Sequence, residues 1–319
     1  MRFPSAVLPL FLLCATASAQ AGAQRAEPAA AERLWQPQDA PLRAQAAKAI
    51  TEGLAADKAK AKATDGDEGE RSKKRLADLR VLAATAMGSL PEGSRAQLRA
   101  SDAIVASATK EQGDGAQKAV DSLRLELAEL AADLRFEPVR EAELPKGFPD
   151  FTALDEIELR EYPAYRMVKA PMKRSGSMGS FWMLFNHIKK NEIAMTTPVQ
   201  VDYQNGDARP TEQSMAFLYG DPAIGKAGLD GKVEVVDVAA LTALTVGARG
   251  YERRDVVDSM RERLERWLAA NAKDYEATGA MRLMNYNSPS VGDDRRCFEV
   301  QIPVRKKGTD AAPAQDAKN

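Results

Sequence analysis

The chain has 319 residues, which is long enough for two domains, and its hydrophobic fraction of 44% is ordinary for a globular protein. Its 45 basic and 46 acidic side chains leave a formal net charge of −1, so there is no basic excess to neutralise phosphates, and nucleic-acid binding is disfavoured. The single histidine, His187, excludes catalytic or metal sites that need two histidines.

A secretory signal peptide is predicted at residues 1–19, where a basic start and a short apolar run precede the A-x-A cleavage site Ala17-Ser18-Ala19. The apolar run is shorter than the roughly 20 residues that a membrane-spanning helix needs. Cys14 follows a bulky leucine, which does not suit a lipoprotein signal. Cleavage near Ala19 predicts a periplasmic or secreted protein without a membrane span. Its single cysteine would be Cys297, so no internal disulfide is possible.

Residues 26–137 are predicted to form an all-α hairpin or small bundle. Two apolar seams repeat at spacings of three and four residues, as buried helix faces do: Leu76, Leu79, Ala83, Ala86 and Leu90, then Val120, Leu123, Leu127, Leu130 and Leu134. Two further helices are predicted, one around Leu42, Ala46, Ala49 and Ile50, and one from the N-cap Ser94 through Leu98, Ile104 and Val105. The seams are interpreted as a structural core, with a homo-oligomer or protein partner as the alternative.

A proline-bearing linker at 138–152 leads into a second domain at 153–305, and residues 306–319 are predicted to be a disordered tail. The second domain reads as two strands, a helix, four strands, a helix and two strands, which is typical of an antiparallel α+β fold. Asn191 is predicted to end the first helix in the left-handed conformation. The following segment, 195–201, is predicted to be a strand because Pro198 disfavours helix before it.

Four phrases of the second domain, in order, resemble the SOUL haem-binding family: IELREYPAYRMV (157–168), NEIAMTTPV (191–199), RLMNYNSP (282–289) and RRCFEVQIPV (295–304). The resemblance covers residues 154–305. It implies a distorted antiparallel β-barrel with two packed helices, similar to effector-binding domains and here preceded by the helical region. It also implies noncovalent binding of haem or a related tetrapyrrole by a carrier, buffer or sensor that is not an enzyme.

A tetrapyrrole site needs an apolar slot, cations for the propionates and in some proteins an axial donor to the iron. The candidates around the first helix are Phe181, Trp182 and Met183 for the slot, and Arg166, Lys173 and Arg174 for the propionates. His187 or Met183 is a candidate axial ligand. His187 lies on the flank of the helix, and the family has no fixed axial histidine, so an ordinary flank histidine is the default interpretation.

Two alternatives remain open. In the first, the cleft binds another hydrophobic small molecule or hydrolyses one, with Glu299 as the base. In the second, the domain is a protein-interaction module. Alternation along the last strand places Cys297, Glu299 and Gln301 on a more polar face, with Cys297 as a partly exposed residue.

Overall fold

The computed structural model describes residues 32–62, 67–172, 177–204 and 210–308. The predicted signal peptide with Cys14, the two cations Lys173 and Arg174, and residues 309–319 of the predicted tail lie outside these ranges. From Ala31 onwards the chain belongs to one compact unit. In the described part of the chain, no helix combines the length and the apolar character that crossing a bilayer requires.

Four helices form the first part of this unit: α1 (Ala40–Ala61), α2 (Glu68–Ser89), α3 (Arg95–Asp114) and α4 (Ala116–Leu134). Both predicted seams are buried in a shared core. The close approach of Gly53 to the Leu82 side chain, together with the ion pair of Asp57 with Arg75, shows that α1 and α2 run antiparallel. Ser94 caps α3 by accepting a hydrogen bond from the Gln97 amide, as predicted. The small bundle is therefore confirmed.

The inward face of α3 differs from the prediction. Leu98 and Val105 are 37% and 64% exposed, and the buried face consists of small side chains: Ala96, Ala100, Ala103 and Ser107. Small side chains let neighbouring helices approach closely, and this decides which face of α3 turns inward. In α1, Leu42 is likewise exposed, because Arg43 turns inward to pair with Glu156 of the second domain.

The second part contains ten strands and two helices among the described residues. The strands are β1 (Ile157–Tyr162), β2 (Tyr165–Pro171), β3 (Val199–Tyr203), β4 (Glu212–Leu218), β5 (Gly228–Asp230), β6 (Val233–Val238), β7 (Leu241–Arg249), β8 (Tyr275–Ala277), β9 (Arg282–Asn285) and β10 (Cys297–Lys306). Helix α5 (Ser177–Lys190) follows β2, and α6 (Arg254–Ala270) follows β7. The short strands β5 and β8 were not predicted, and β10 extends to Lys306, the first residue of the predicted tail.

The exit from α5 also differs from the prediction. The residue with positive φ is Glu192, at 53°, whereas Asn191 uses its side chain to donate to the His187 carbonyl. Strand β3 begins at Val199 rather than at residue 195, because Pro198 has no N–H to donate to a ladder.

The strands form one antiparallel sheet in the order β1-β7-β10-β9-β3-β4-β2-β6-β5, with β8 paired to β10. This confirms the α+β class with two packed helices, and the sheet of the predicted distorted barrel is open. Among the described strands, the end strands β1 and β5 each pair with a single neighbour. The amide of Trp35 donates to the Ile157 carbonyl on β1, and β5 is three residues long, so neither end offers a ladder that would close the sheet.

The sheet has two unlike faces. The apolar face is covered by α5 and α6 and forms the main core, which includes Val168, Phe217, Leu283 and Val300. The opposite face, called the polar face from here on, carries Arg160, Tyr162, Tyr165, Gln200, Arg282, Glu299 and Gln301. The chain segment 136–153 crosses this face. It packs Phe148 edge-on against Tyr165 at 5.2 Å between ring centroids, and Phe151 against Tyr286 at 5.3 Å. Much of the polar face is thereby shielded from water.

Gly247 on β7 allows this segment to approach the sheet. A Cβ there would lie 2.7 Å from Phe151 Cζ and 2.8 Å from Thr152 Cγ2. We expect Gly247→Ala to lower the free energy of unfolding by about 1–3 kcal/mol, because the clash displaces packed atoms. Chemical denaturation measures the effect. The control is Gly220→Ala, whose Cβ would stand 3.7 Å from Thr196 Cγ2, an ordinary contact distance. Equal stability of the two variants would contradict the expected clash.

Candidate functional site

A buried ion pair lies at the centre of the polar face. Arg160 Nη1 is 2.7 Å from Glu299 Oε1, and both side chains are almost fully buried. Glu299 Oε1 also accepts from the Thr152 amide at 2.8 Å, and Oε2 accepts from Tyr286 Oη at 2.9 Å and Gln301 Nε2 at 2.7 Å. Burial raises the pKa of Tyr286, so its hydroxyl remains a donor. Glu299 is therefore held by donors on both oxygens, which does not suit the predicted alternative role of a hydrolytic base.

An open cavity of about 590 Å³ lies beside this network, and Tyr165, which packs against Phe148, is part of its wall. Its volume is in the range of small-molecule sites. Apolar side chains form much of the wall: Met167, Val233, Val238, Met281 and Pro303. The rest of the lining includes polar and aromatic side chains: Tyr165, Lys169, Gln200, Asp202, Tyr203, Ser214, Lys232 and Arg282. The cavity can thus hold an apolar body and meet polar groups on it.

Arg282 occupies the inner wall of the cavity and is 4% exposed. Its Nε donates to Gln301 Oε1 at 2.7 Å, and its Nη1 donates to Tyr165 Oη at 3.0 Å. The guanidinium carbon lies 5.1 Å from the centroid of the Tyr162 ring, a cation–π contact. Within the described part of the chain, Nη2 has no hydrogen-bond partner. Asp202 stands opposite Arg282 in the ladder, but its oxygens accept from Gln200 and Ser214.

The predicted slot residues lie elsewhere, on α5. The Phe181 ring stacks on Phe185 at 6.1 Å and meets Trp182 edge-on at 5.8 Å, and Trp182 is 51% exposed. Met183 is partly buried against the main core. Since α5 covers the apolar face, this aromatic patch and the cavity are separate places on the molecule.

His187 is buried, and both ring nitrogens have protein partners. Nδ1 is 2.8 Å from Asp230 Oδ2, and Nε2 is 2.8 Å from Tyr219 Oη. Burial raises the pKa of Tyr219, so its hydroxyl suits the role of donor to Nε2, which places the ring proton on Nδ1 facing Asp230. Hydrogen bonds from Lys190 and His187 lower the pKa of Asp230. This arrangement ties α5 to β5 and does not suit an axial iron ligand, because either nitrogen would first have to give up its partner.

Two further side chains that the sequence singled out are engaged or buried within the protein. Arg166 forms a two-point contact with Asp237 at 2.7 and 3.0 Å and donates to the carbonyls of Ile224 and Gly225, so its guanidinium is engaged within the protein. Cys297 was predicted to be partly exposed, but it is 3% exposed, and burial raises the pKa of its thiol to about 12. Cys297 is buried because other parts of the chain cover the polar face, and the alternation of residues along β10 does not reveal that cover.

Arg282, Tyr165 and Gln200 were not predicted as site residues. The available signal was polar side chains at alternate positions in strands, a pattern that equally describes a face exposed to water.

The chain matches the family described as SOUL heme-binding protein over residues 148–303. A comparison with curated proteins finds no match. Similar solved structures include the EcmrR C-terminal domain, with 18% identity over 47% of this chain and 98% of that one at a TM-score of 0.37. A hydrolase from Listeria innocua has 11% identity over 49% of this chain and 94% of its own, at a TM-score of 0.36. SAV2435 bound to tetraphenylphosphonium has 13% identity over 47% of this chain and 94% of its own, at a TM-score of 0.30. These scores are too low to support a functional argument. The match covers the sheet and its two helices, and this domain of the chain belongs to the SOUL haem-binding family.

Proposed function

We propose that this protein binds haem or a related tetrapyrrole noncovalently, in the cavity on the polar face. The observation that carries the proposal is the open cavity of about 590 Å³ with apolar walls and cationic side chains, in a member of a haem-binding family. Apolar walls suit a porphyrin ring, and the side chains of Lys169, Lys232 and Arg282 suit its carboxylates. A carrier, buffer or sensor role would follow from such binding.

The proposed mode of binding does not use His187 as an iron ligand. Both of its ring nitrogens are hydrogen-bonded, and α5 lies against the apolar face. When bound, haem would bring its iron and its Soret absorption. The contribution of this chain would be the apolar walls and the cations around the ring. Secretion after cleavage near Ala19, and an oligomer or protein partner held by the helical region, stay predictions from the sequence.

Titration with haemin and with iron-free protoporphyrin IX tests the proposal. We expect saturable binding of both, with roughly micromolar or tighter dissociation constants. His187→Gln should leave the Soret spectrum of the haemin complex unchanged, because the protein supplies no histidine to the iron. A different spectrum in that variant would show that His187 is axial after all.

Two tryptophan variants locate the ligand. Gln213 is an exposed residue of the cavity lining, and Gln213→Trp should narrow the entrance and weaken binding of both tetrapyrroles. Trp182→Gln removes the most exposed ring of the α5 patch and should leave binding unchanged. The reverse pattern would place the ligand on α5, where the sequence predicted it. No saturable binding of either tetrapyrrole to the unaltered protein would contradict the proposed function itself.

A further inference from the structure

We propose that Arg282 is the anchor for an anionic group and that the cavity selects apolar ligands that carry a carboxylate. This inference rests on the proposed function only in using the same cavity. It adds the chemical class of the ligand and the residue that determines it.

The first support is charge. Five arginines are buried among the described residues, and four of them contact a carboxylate: Arg43 with Glu156, Arg160 with Glu299, Arg263 with Glu32 and Asp155, and Arg296 with Glu252. Within the same described ranges, Arg282 forms no ion pair, although it is as buried as the others. A buried cation without a counter-ion is costly, and an anion supplied by a ligand removes that cost.

The second support is the way the guanidinium is held. Gln301 and Tyr165 fix Nε and Nη1, and Tyr165 Oη in turn lies 3.1 Å from Gln200 Oε1. Nη2 keeps its donors unused among the described residues, and the Arg282 side chain is part of the cavity lining. Because Nη2 is covered by neighbouring atoms, we expect a side chain of the cavity lining to change its rotamer and uncover Nη2 when the anion binds. A fixed, planar guanidinium suits a carboxylate better than a flexible lysine does.

Two carboxylates of the cavity lining oppose such a ligand: Glu234, which pairs with Lys169 at 3.6 Å, and Asp202. Asp202 stands opposite Arg282 in the β3–β9 ladder and also lines the cavity, so its negative charge opposes an incoming carboxylate. Its oxygens are directed to Gln200 Nε2 at 2.6 Å and Ser214 Oγ at 2.8 Å, so it does not neutralise Arg282 by direct contact. Asp202→Asn should therefore strengthen binding of an anionic ligand.

The test compares 1-pyrenebutyrate, a flat apolar carboxylate, with its methyl ester by fluorescence titration of the full chain. We expect the ester to bind about 10- to 100-fold more weakly, the value of a charge-assisted hydrogen bond. Arg282→Gln should weaken binding of the acid by a similar factor and leave the ester unchanged. Lys226→Gln removes the same unit of charge from an exposed position outside the cavity lining, where water and salt screen it, and should change affinity by less than about 3-fold.

Equal affinity for the acid and the ester, or no saturable binding of pyrenebutyrate, would overturn the anchor. The ester comparison uses the unaltered protein, so it decides the matter even if Arg282→Gln fails to fold. Selective binding of pyrenebutyrate without any tetrapyrrole binding would remove the proposed function and keep the anchor. Tetrapyrrole binding that is indifferent to Arg282 and to esterified carboxylates would keep the function and remove the anchor.

Discussion

Glu299→Gln is expected to lower the free energy of unfolding by about 3–5 kcal/mol, the cost of leaving a buried charge without its partner. The substitution keeps the shape of the side chain, but Arg160, which is 6% exposed, would lose the carboxylate 2.7 Å from its Nη1 and keep only the longer contact of its Nε with Glu158 Oε2 at 3.7 Å. The neutral amide would also place a donor among the donors that now converge on Glu299 from Thr152, Tyr286 and Gln301. Urea unfolding followed by circular dichroism measures the loss.

Two variants show whether the unpaired charge is the cause. Arg160→Met combined with Glu299→Gln removes both charges and should recover at least half of the loss, because the uncompensated cation is gone. Glu276→Gln breaks the more exposed pair with Arg305 and should cost no more than about 1 kcal/mol. A double variant as unstable as Glu299→Gln would instead assign the loss to the broken hydrogen bonds.

Glu156→Ala is expected to destabilise the protein by a comparable amount, about 3–5 kcal/mol. Glu156 Oε1 lies 2.8 Å from Arg43 Nη1 on α1, which becomes an unpaired buried cation in the variant. The same carboxylate accepts from the amides of Arg95 and Ala96 at 3.0 and 3.2 Å, so it also caps the N-terminus of α3. One side chain thus links the bundle to the sheet.

The matched control is Glu161→Ala, because Glu161 is an exposed residue of the adjacent strand β1, and its loss should change stability by less than about 0.5 kcal/mol. Chemical denaturation compares the two. Limited proteolysis adds a second measurement, since loosening the bundle from the sheet should expose the segment 136–153 to cleavage. A Glu156→Ala variant as stable and as resistant to protease as Glu161→Ala would show that other contacts hold the two parts together.

The elements with strong periodicity were predictable. The sequence pattern predicts strands at 233–238 and 241–249, which are the bounds of β6 and β7, and a helix from about residue 253, where α6 begins one residue later. Both bundle seams are buried as predicted. Each of these elements buries a stripe of large apolar side chains, and the spacing of such side chains can be read from the sequence. The face of α3 was wrong because its contact surface consists of alanines, whose small size makes no apolar stripe stand out.

The candidate site could not be predicted in the same way. The sequence predicted a ligand site around Trp182, Met183 and His187, because aromatic, sulfur and imidazole groups are close together there. These residues lie on the helix that covers the apolar face. The cavity collects Tyr165, Gln200 and Arg282 from strands far apart in the chain. Alternation shows that such residues share a polar face, but whether that face meets water depends on what crosses it.

The sequence by itself determined the family, the α+β class and the helical bundle, because motif order and apolar spacing are local properties. The open sheet and the covered polar face were decided by the tertiary structure alone, as was the lack of an ion pair for Arg282 among the described residues. Burial and ion pairing depend on which residues meet across the fold. The segment 136–153 crosses the face on which Arg160 is buried with its carboxylate, whereas Arg282, at the cavity wall, has no ion pair within the described part of the chain.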